Sequence, residues 1–159
     1  TLGNALRVNY ALKEIRVEGN EIGNIGAWML VDSLGENEHR TSAVEKLALG
    51  WNDIGLEGVT GIADALKANS KLRRIDLTGN NICCKGAQAL AESLSYDLSL
   101  DELILAENNI KDEGAYAFAL AMGKPTCTLH TLVFHDNPIN SDGLASLQRV
   151  PQLRRNHQY

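Results

Sequence analysis

His135 stands directly before Asp136, and an imidazole beside a carboxylate can take up and hand on a proton. Covalent chemistry would also require a hydroxyl or thiol nucleophile within hydrogen-bond reach. The cysteines are Cys83, Cys84 and Cys127. Two adjacent cysteines strain a mutual disulfide, and no pair of Cys or His residues stands at metal-ligand spacing, so free thiols are expected. The remaining histidines are His39, His130 and His157. There is no Gly-rich phosphate loop closed by Gly-Lys and no dinucleotide fingerprint. No catalytic, cofactor or metal site is expected, and the chain is read as a non-enzyme.

What must position these side chains is an internal repeat. Five asparagines, Asn20, Asn52, Asn80, Asn108 and Asn137, follow one another at steps of 32, 28, 28 and 29 residues. Two residues after each comes Ile (Ile22, Ile54, Ile82, Ile110, Ile139), and six after each comes Gly (Gly26, Gly58, Gly86, Gly114, Gly143). Three residue types in phase five times decide the architecture before any propensity is weighed. The segments ahead of the asparagines, such as LKEIRVEG, LRRIDLTG and LDELILAE, place apolar residues first, fourth and sixth, with strand alternation at the end. Beyond each Gly the apolar spacing becomes three and four, as in Val59, Ile62, Ala63 and Leu66, which is one face of a helix. Each unit is therefore a short strand, a turn and a helix running back.

The segments LRRIDLTGNNICCKGAQALAESL and LDELILAENNIKDEGAYAFALAM resemble the ribonuclease-inhibitor-like class of leucine-rich repeats, and the resemblance covers nearly the whole chain. DEGA and SDGL are also similar to the cysteine-containing repeats of F-box proteins, but those carry Cys where this chain has Asn. The resemblance implies an α/β solenoid in a curved horseshoe arc, with parallel strands on the concave face and helices on the convex face. Physical size agrees: helices about 10 Å wide beside strands about 4.8 Å apart force a curve. A single unit buries too few aliphatic side chains to offset its ordering entropy, so units must stack. The Asn column is expected to bond backbone groups where the strand turns away, and the Gly column to allow close approach at the start of the helix.

One domain, residues 1–159, is expected, of about five and a half repeats of 28–29 residues beginning near Leu12, Val44, Leu72, Leu100 and Leu129. Residues 1–11 read as half a repeat, because LGNALRVNYAL matches IADALKANSKL position for position. No polar cap precedes them, so the chain is expected to be part of a longer array or to have its N-terminal edge covered by another repeat or chain. GENEHRTS is expected as a polar loop and LRRNHQY as a truncated strand or cap.

In this repeat class the residues between and after the strand leucines face the concave side. They carry three basic residues (Arg16, Lys46, Arg74) and six acidic ones (Glu14, Glu18, Asp76, Glu102, Glu107, Asp136), with the unbalanced acid in the last two repeats. Ile104 and Val133 occupy the same position in neighbouring repeats and are expected side by side, an apolar patch flanked by Glu102, Glu107 and Asp136. Trp51 is expected at the rim as a binding anchor. The candidate partner-binding set is Trp51, Arg74, Asp76, Glu102, Ile104, Glu107, Val133, His135 and Asp136. Thr78, the concave hydroxyl nearest in phase, stands two repeats from His135, about 10 Å by strand spacing, so the histidine is expected to be solvated rather than catalytic.

A net charge of −5 argues against broad contact with nucleic acid, and no apolar run is long enough to span a membrane. No secretory signal is visible in TLGNALRVNY, and the odd, small number of thiols points to the cytoplasm or another reducing compartment. The expected function is a non-catalytic protein-binding module or scaffold subunit of a larger assembly. The repeat class also contains ribonuclease inhibitor, actin-capping tropomodulins, the sensing arrays of nucleotide-binding innate receptors and the Ran GTPase activator. The last two stand as alternatives. An activator role would call for a loop arginine that Arg16 and Arg74, placed on strands, do not match.

Overall fold

The computed structural model describes residues 2–6, 9–35, 42–96 and 99–150. Most of GENEHRTS, all of LRRNHQY, His39 and His157 lie outside them. Strands and helices alternate along the chain: α1 (Leu2–Leu6), β1 (Glu14–Arg16), α2 (Gly23–Ser33), β2 (Lys46–Ala48), α3 (Leu56–Leu66), β3 (Arg74–Asp76), α4 (Cys84–Ser93), β4 (Glu102–Ile104), α5 (Asp112–Met122), β5 (Thr131–Val133) and α6 (Ser141–Gln148). The five strands form one parallel sheet in the order β1-β2-β3-β4-β5. Each helix packs on the next, so the molecule is a two-layer α/β leucine-rich solenoid.

The core lies between the layers. The middle residue of every strand points inward, giving the row Ile15, Leu47, Ile75, Leu103 and Leu132, each no more than 7% exposed. The next inward position holds Leu49, Leu77, Leu105 and Phe134, all buried. Phe134 meets Phe118 of α5 edge-on at 5.6 Å, the preferred arrangement for two ring quadrupoles. The helices contribute the three-and-four face expected of them, for instance Val59, Ile62, Ala63 and Leu66 of α3.

The asparagine column is a hydrogen-bond ladder between repeats. Asn80 accepts from the backbone N–H of Asn52 (3.1 Å) and Ile54 (3.0 Å), both in the preceding unit. Its amide donates to the carbonyls of Leu49, Leu77 and Thr78 at 3.0–3.2 Å. Asn52, Asn108 and Asn137 repeat the pattern: each donates to a carbonyl one unit back and two of its own, and each accepts from the preceding turn. These carboxamides satisfy backbone groups that leave the sheet as the strand turns away and would otherwise be buried unpaired.

The glycine column is a set of close approaches. A Cβ on Gly58 would stand 2.7 Å from Asn24 Cα, and one on Gly86 would stand 2.5 Å from Val59 Cγ1. A further set of rungs, which the sequence pattern does not announce, lies one turn earlier. Asn24 Oδ1 accepts from Gly55 N–H (2.7 Å), Cys84 Sγ from Lys111 N–H (3.2 Å), and Asp112 Oδ1 from Asn140 N–H (2.9 Å). Each ties the first turn of one helix to the entry of the next.

Candidate functional site

The in-phase register lays the outward side chains of the sheet in two rows across the concave face. One row runs Glu14, Lys46, Arg74, Glu102 and Thr131; the other runs Arg16, Ala48, Asp76, Ile104 and Val133. Charges of opposite sign therefore meet both along and across strands. Arg74 lies 3.5 Å from Glu102 and 3.7 Å from Asp76, and Arg16 donates to Glu14 at 2.6 Å. That hydrogen bond holds the Glu14 carboxyl below its ordinary range and the Arg16 guanidinium above its own. Asp76 also accepts from the Thr78 hydroxyl at 2.6 Å. Arg16 and Arg74 thus spend their charge within the chain. Above Ala48 the small side chain leaves a polar hollow of about 180 Å³, walled by Arg16, Lys46, Arg74 and Asp76.

The paired aliphatic residues are placed as register requires: Ile104 and Val133 are partners across β4 and β5. The contact surface they offer is smaller than the sequence implies. Val133 is only 8% exposed, Ile104 is half-buried and Ala106 is buried. On the inner side of a curved sheet neighbouring side chains converge, so two branched residues side by side close on each other instead of opening a patch. Gly50 and Thr78, assigned outward by the repeat pattern, are also buried.

The rim is more open. The residue before each ladder asparagine, Gly19, Trp51, Gly79, Glu107 and Asp136, has φ between 53° and 66° in all five units. This left-handed turn costs glycine little and a side-chain-bearing residue roughly 1–2 kcal/mol. Trp51, Glu107 and Asp136 adopt it nonetheless, and all three are exposed. A Cβ on Gly79 would fall inside the Trp51 indole, so the ring lies over that glycine, with 54% of the residue open to solvent. The Glu107 carboxylate makes no hydrogen bond or ion pair among the described residues, while its backbone N–H donates to the His135 carbonyl. Asp136 lies 2.7 Å from His135 Nδ1. The strands therefore bring Arg74, Asp76, Glu102, Ile104 and Val133 together on the face, while the turns bring Trp51, Glu107, His135 and Asp136 together along its rim.

Among the described residues no thiol or hydroxyl nucleophile is bonded to the His135 or Asp136 side chains. The three cysteines are free, and among the described residues no group of three His, Cys, Asp or Glu side chains is placed to hold a metal ion. Burial raises the Cys127 thiol above its ordinary value. No helix among the described residues is long and apolar enough to cross a membrane.

Two features escaped the sequence reading. Gly79 is the seat of Trp51, and the signal for it is a tryptophan at a turn position that holds glycine in the units on either side. The second is α2. Ile25 is 71% exposed and Met29 52%, and Met29 lines an apolar hollow of about 410 Å³ between α1 and α2. In the later units the position of Ile25 holds Glu57, Lys85, Glu113 and Asp142, a column of charges that marks Ile25 as unusual.

Comparison with known proteins agrees with this architecture. A family model described as "Leucine Rich repeat" matches residues 44–63, 68–91 and 97–119. The human protein NACHT, LRR and PYD domains-containing protein 12 is 33% identical over 75 residues, which are 47% of this chain. The matched stretch spans only 7% of that protein's length. Among solved structures, leiomodin-1 actin-binding site 2 superposes with a TM-score of 0.74 at 20% identity, covering 96% of this chain and 89% of that one. The tropomodulin C-terminal domain from Caenorhabditis elegans gives 0.72 at 15% identity, covering 98% of this chain and 90% of that one. At these identities the two structures speak to the fold alone.

Proposed function

Because the chain is a leucine-rich-repeat protein, we propose that it is a non-catalytic protein-binding module, a recognition or scaffold unit whose partner docks on the concave strand face and its rim. The observation that carries this reading is a division of labour between columns. The leucines and the inner ladder asparagines are buried and consumed by the solenoid, whereas the two outward strand rows change from unit to unit and, Val133 apart, stay half-buried or exposed. A preorganised surface of this kind binds without the ordering cost of a flexible one. Free thiols fit a reducing compartment such as the cytoplasm.

The test is a cross-linking map. A photo-reactive residue is placed at Ile104 on the concave face or at Tyr116, which is exposed on α5. Irradiation in a cell extract should yield protein adducts of defined mass from position 104 and none from position 116. Adducts from 116 alone, or from neither, would overturn the assignment of the face.

A second reading, the sensing array of a nucleotide-binding innate receptor, is favoured by the match to the human NACHT, LRR and PYD protein. It requires a nucleotide-binding domain encoded upstream in the same transcript; sequencing that transcript and finding none would exclude it.

A further inference from the structure

The row of left-handed turns along the rim has a chemistry of its own, distinct from that of the strand face. The backbone N–H of Trp51 donates to Thr78 carbonyl (2.8 Å), that of Gly79 to Ala106 (3.0 Å) and that of Glu107 to His135 (3.1 Å), so successive members stand one strand spacing apart, about 4.8 Å. They share a left-handed φ between 53° and 66°. The Trp51 indole lies over Gly79 and so extends toward Glu107, the next member of the row. Among the described residues the sequence along the rim is therefore an aromatic plate with one face open, an unpaired carboxylate, and then the Asp136 carboxylate held only by a neighbouring imidazole. No lysine or arginine belongs to this row.

We propose that this rim row is the docking site for an arginine-bearing segment of a partner protein, the guanidinium stacking on Trp51 and its neighbours along the segment meeting Glu107 and Asp136. The proposal rests on the concave-face reading above and gives the partner its chemistry. Arginine fits better than lysine because its guanidinium is planar, weakly hydrated and able both to stack on an indole and to fork onto a carboxylate. The glycine at position 79 gives the ring a flat seat without a competing side chain. The net charge of −5 draws a cationic segment toward the molecule from a distance.

Trp28 and Trp51 are the two tryptophans, so Trp28→Phe leaves Trp51 as the single fluorescent reporter. The chain is titrated with oligo-arginine, oligo-lysine and oligo-glutamate peptides of equal length. Expected is a saturable change in Trp51 emission with oligo-arginine, weaker with oligo-lysine, absent with oligo-glutamate, and reduced by salt. Glu107→Gln combined with Asp136→Asn should weaken oligo-arginine binding about tenfold or more, while Glu57→Gln on α3 leaves it unchanged. Gly79→Ala should displace the ring and remove the preference for arginine over lysine without altering charge. Trp28 also packs against Gly61. The titration is therefore repeated by calorimetry on the unaltered chain and on Trp51→Ala, where affinity for oligo-arginine should again fall about tenfold. Equal losses from Glu57→Gln and from the rim pair, or unchanged affinity in Trp51→Ala, would overturn the proposal. If cross-linking from position 104 still finds a partner, only the arginine assignment falls; if both fail, the interaction reading falls with it.

Discussion

At the scale of single residues, one side-chain type does opposite things according to its neighbours. Asn80 joins five backbone groups from two units, so its removal orphans buried donors and acceptors at once. Asn80→Ala is expected to cost about 3 kcal/mol or more, since each stranded buried group costs about 1–3 kcal/mol. Asn20, exposed and with a side-chain amide that donates to Glu18 carbonyl alone among the described residues, should tolerate the same change within about 0.5 kcal/mol. Urea midpoints for the two variants provide the comparison. The left-handed turns give the converse case. Glu107→Gly should raise stability by about 0.5–1 kcal/mol, because glycine adopts φ near 54° without strain but loses more backbone freedom on folding. If the rim proposal holds, that more stable variant binds oligo-arginine less well. Thiol chemistry adds a further check. Desolvation lifts the Cys127 thiol above its ordinary value, so it carries less thiolate near neutral pH and should be alkylated more slowly than a free thiol, as peptide mapping after iodoacetamide would show.

At the scale of elements, the helix entries are where units lock together, and they show how much of the chain was legible. The column Gly26, Gly58, Gly86, Gly114 and Gly143 announced a close approach; at Gly58 what comes close is the backbone of the preceding unit, at Asn24 Cα, and at the others it is chiefly side chains, such as Val59 at Gly86. Gly58→Ala should therefore lower the melting temperature, at about 1–3 kcal/mol of destabilisation, because Asn24 Cα cannot move aside as a flexible side chain could. The rungs at Asn24, Cys84 and Asp112 were not legible. Their residue types differ while their task is the same, and only coordinates reveal that a thiol, an amide and a carboxylate all accept from the next helix entry. A sulfur is the weakest acceptor of the three, and Cys84→Asn should stabilise by about 0.5–1.5 kcal/mol. Asparagine is preferred to aspartate there because Glu113 lies 3.4 Å from the Cys84 thiol. The depth of the concave face was equally hidden. Periodicity tells which side of a strand Val133 takes, but how far the sheet curves decides whether that side is open, and curvature is a property of the stack.

At the scale of the whole molecule, stability is a chain of neighbour contacts, with the sheet and helices running in strict sequence order. Amides of the central strands should exchange most slowly. Leu77 N–H, bonded to Ile104 carbonyl with units on both sides, should outlast Val17 N–H, bonded to Ala48 carbonyl at the edge of the sheet. Hydrogen exchange read by mass spectrometry would show the gradient, and uniform protection would contradict it. The architecture was legible because the period recurs five times and each copy checks the others. The binding surface was less so, because it is made of the positions where the copies disagree.

The asparagine ladder also has a direction, and that direction bears on how the protein is made. Asn80 closes the turn that carries Asn52 and Ile54, and Asn108 reaches back to the N–H of Ile82, so each turn is completed by a residue that lies in the unit after it. A ribosome delivers the N-terminal units first. At about 5–20 residues per second, a 28-residue unit arrives on the order of 1–6 s after its predecessor, and for that interval the earlier turn waits with its N–H groups open. The nascent chain therefore always carries one unfinished unit at its growing end, and a translational pause just after a strand would expose that unit for longer than a pause one asparagine later.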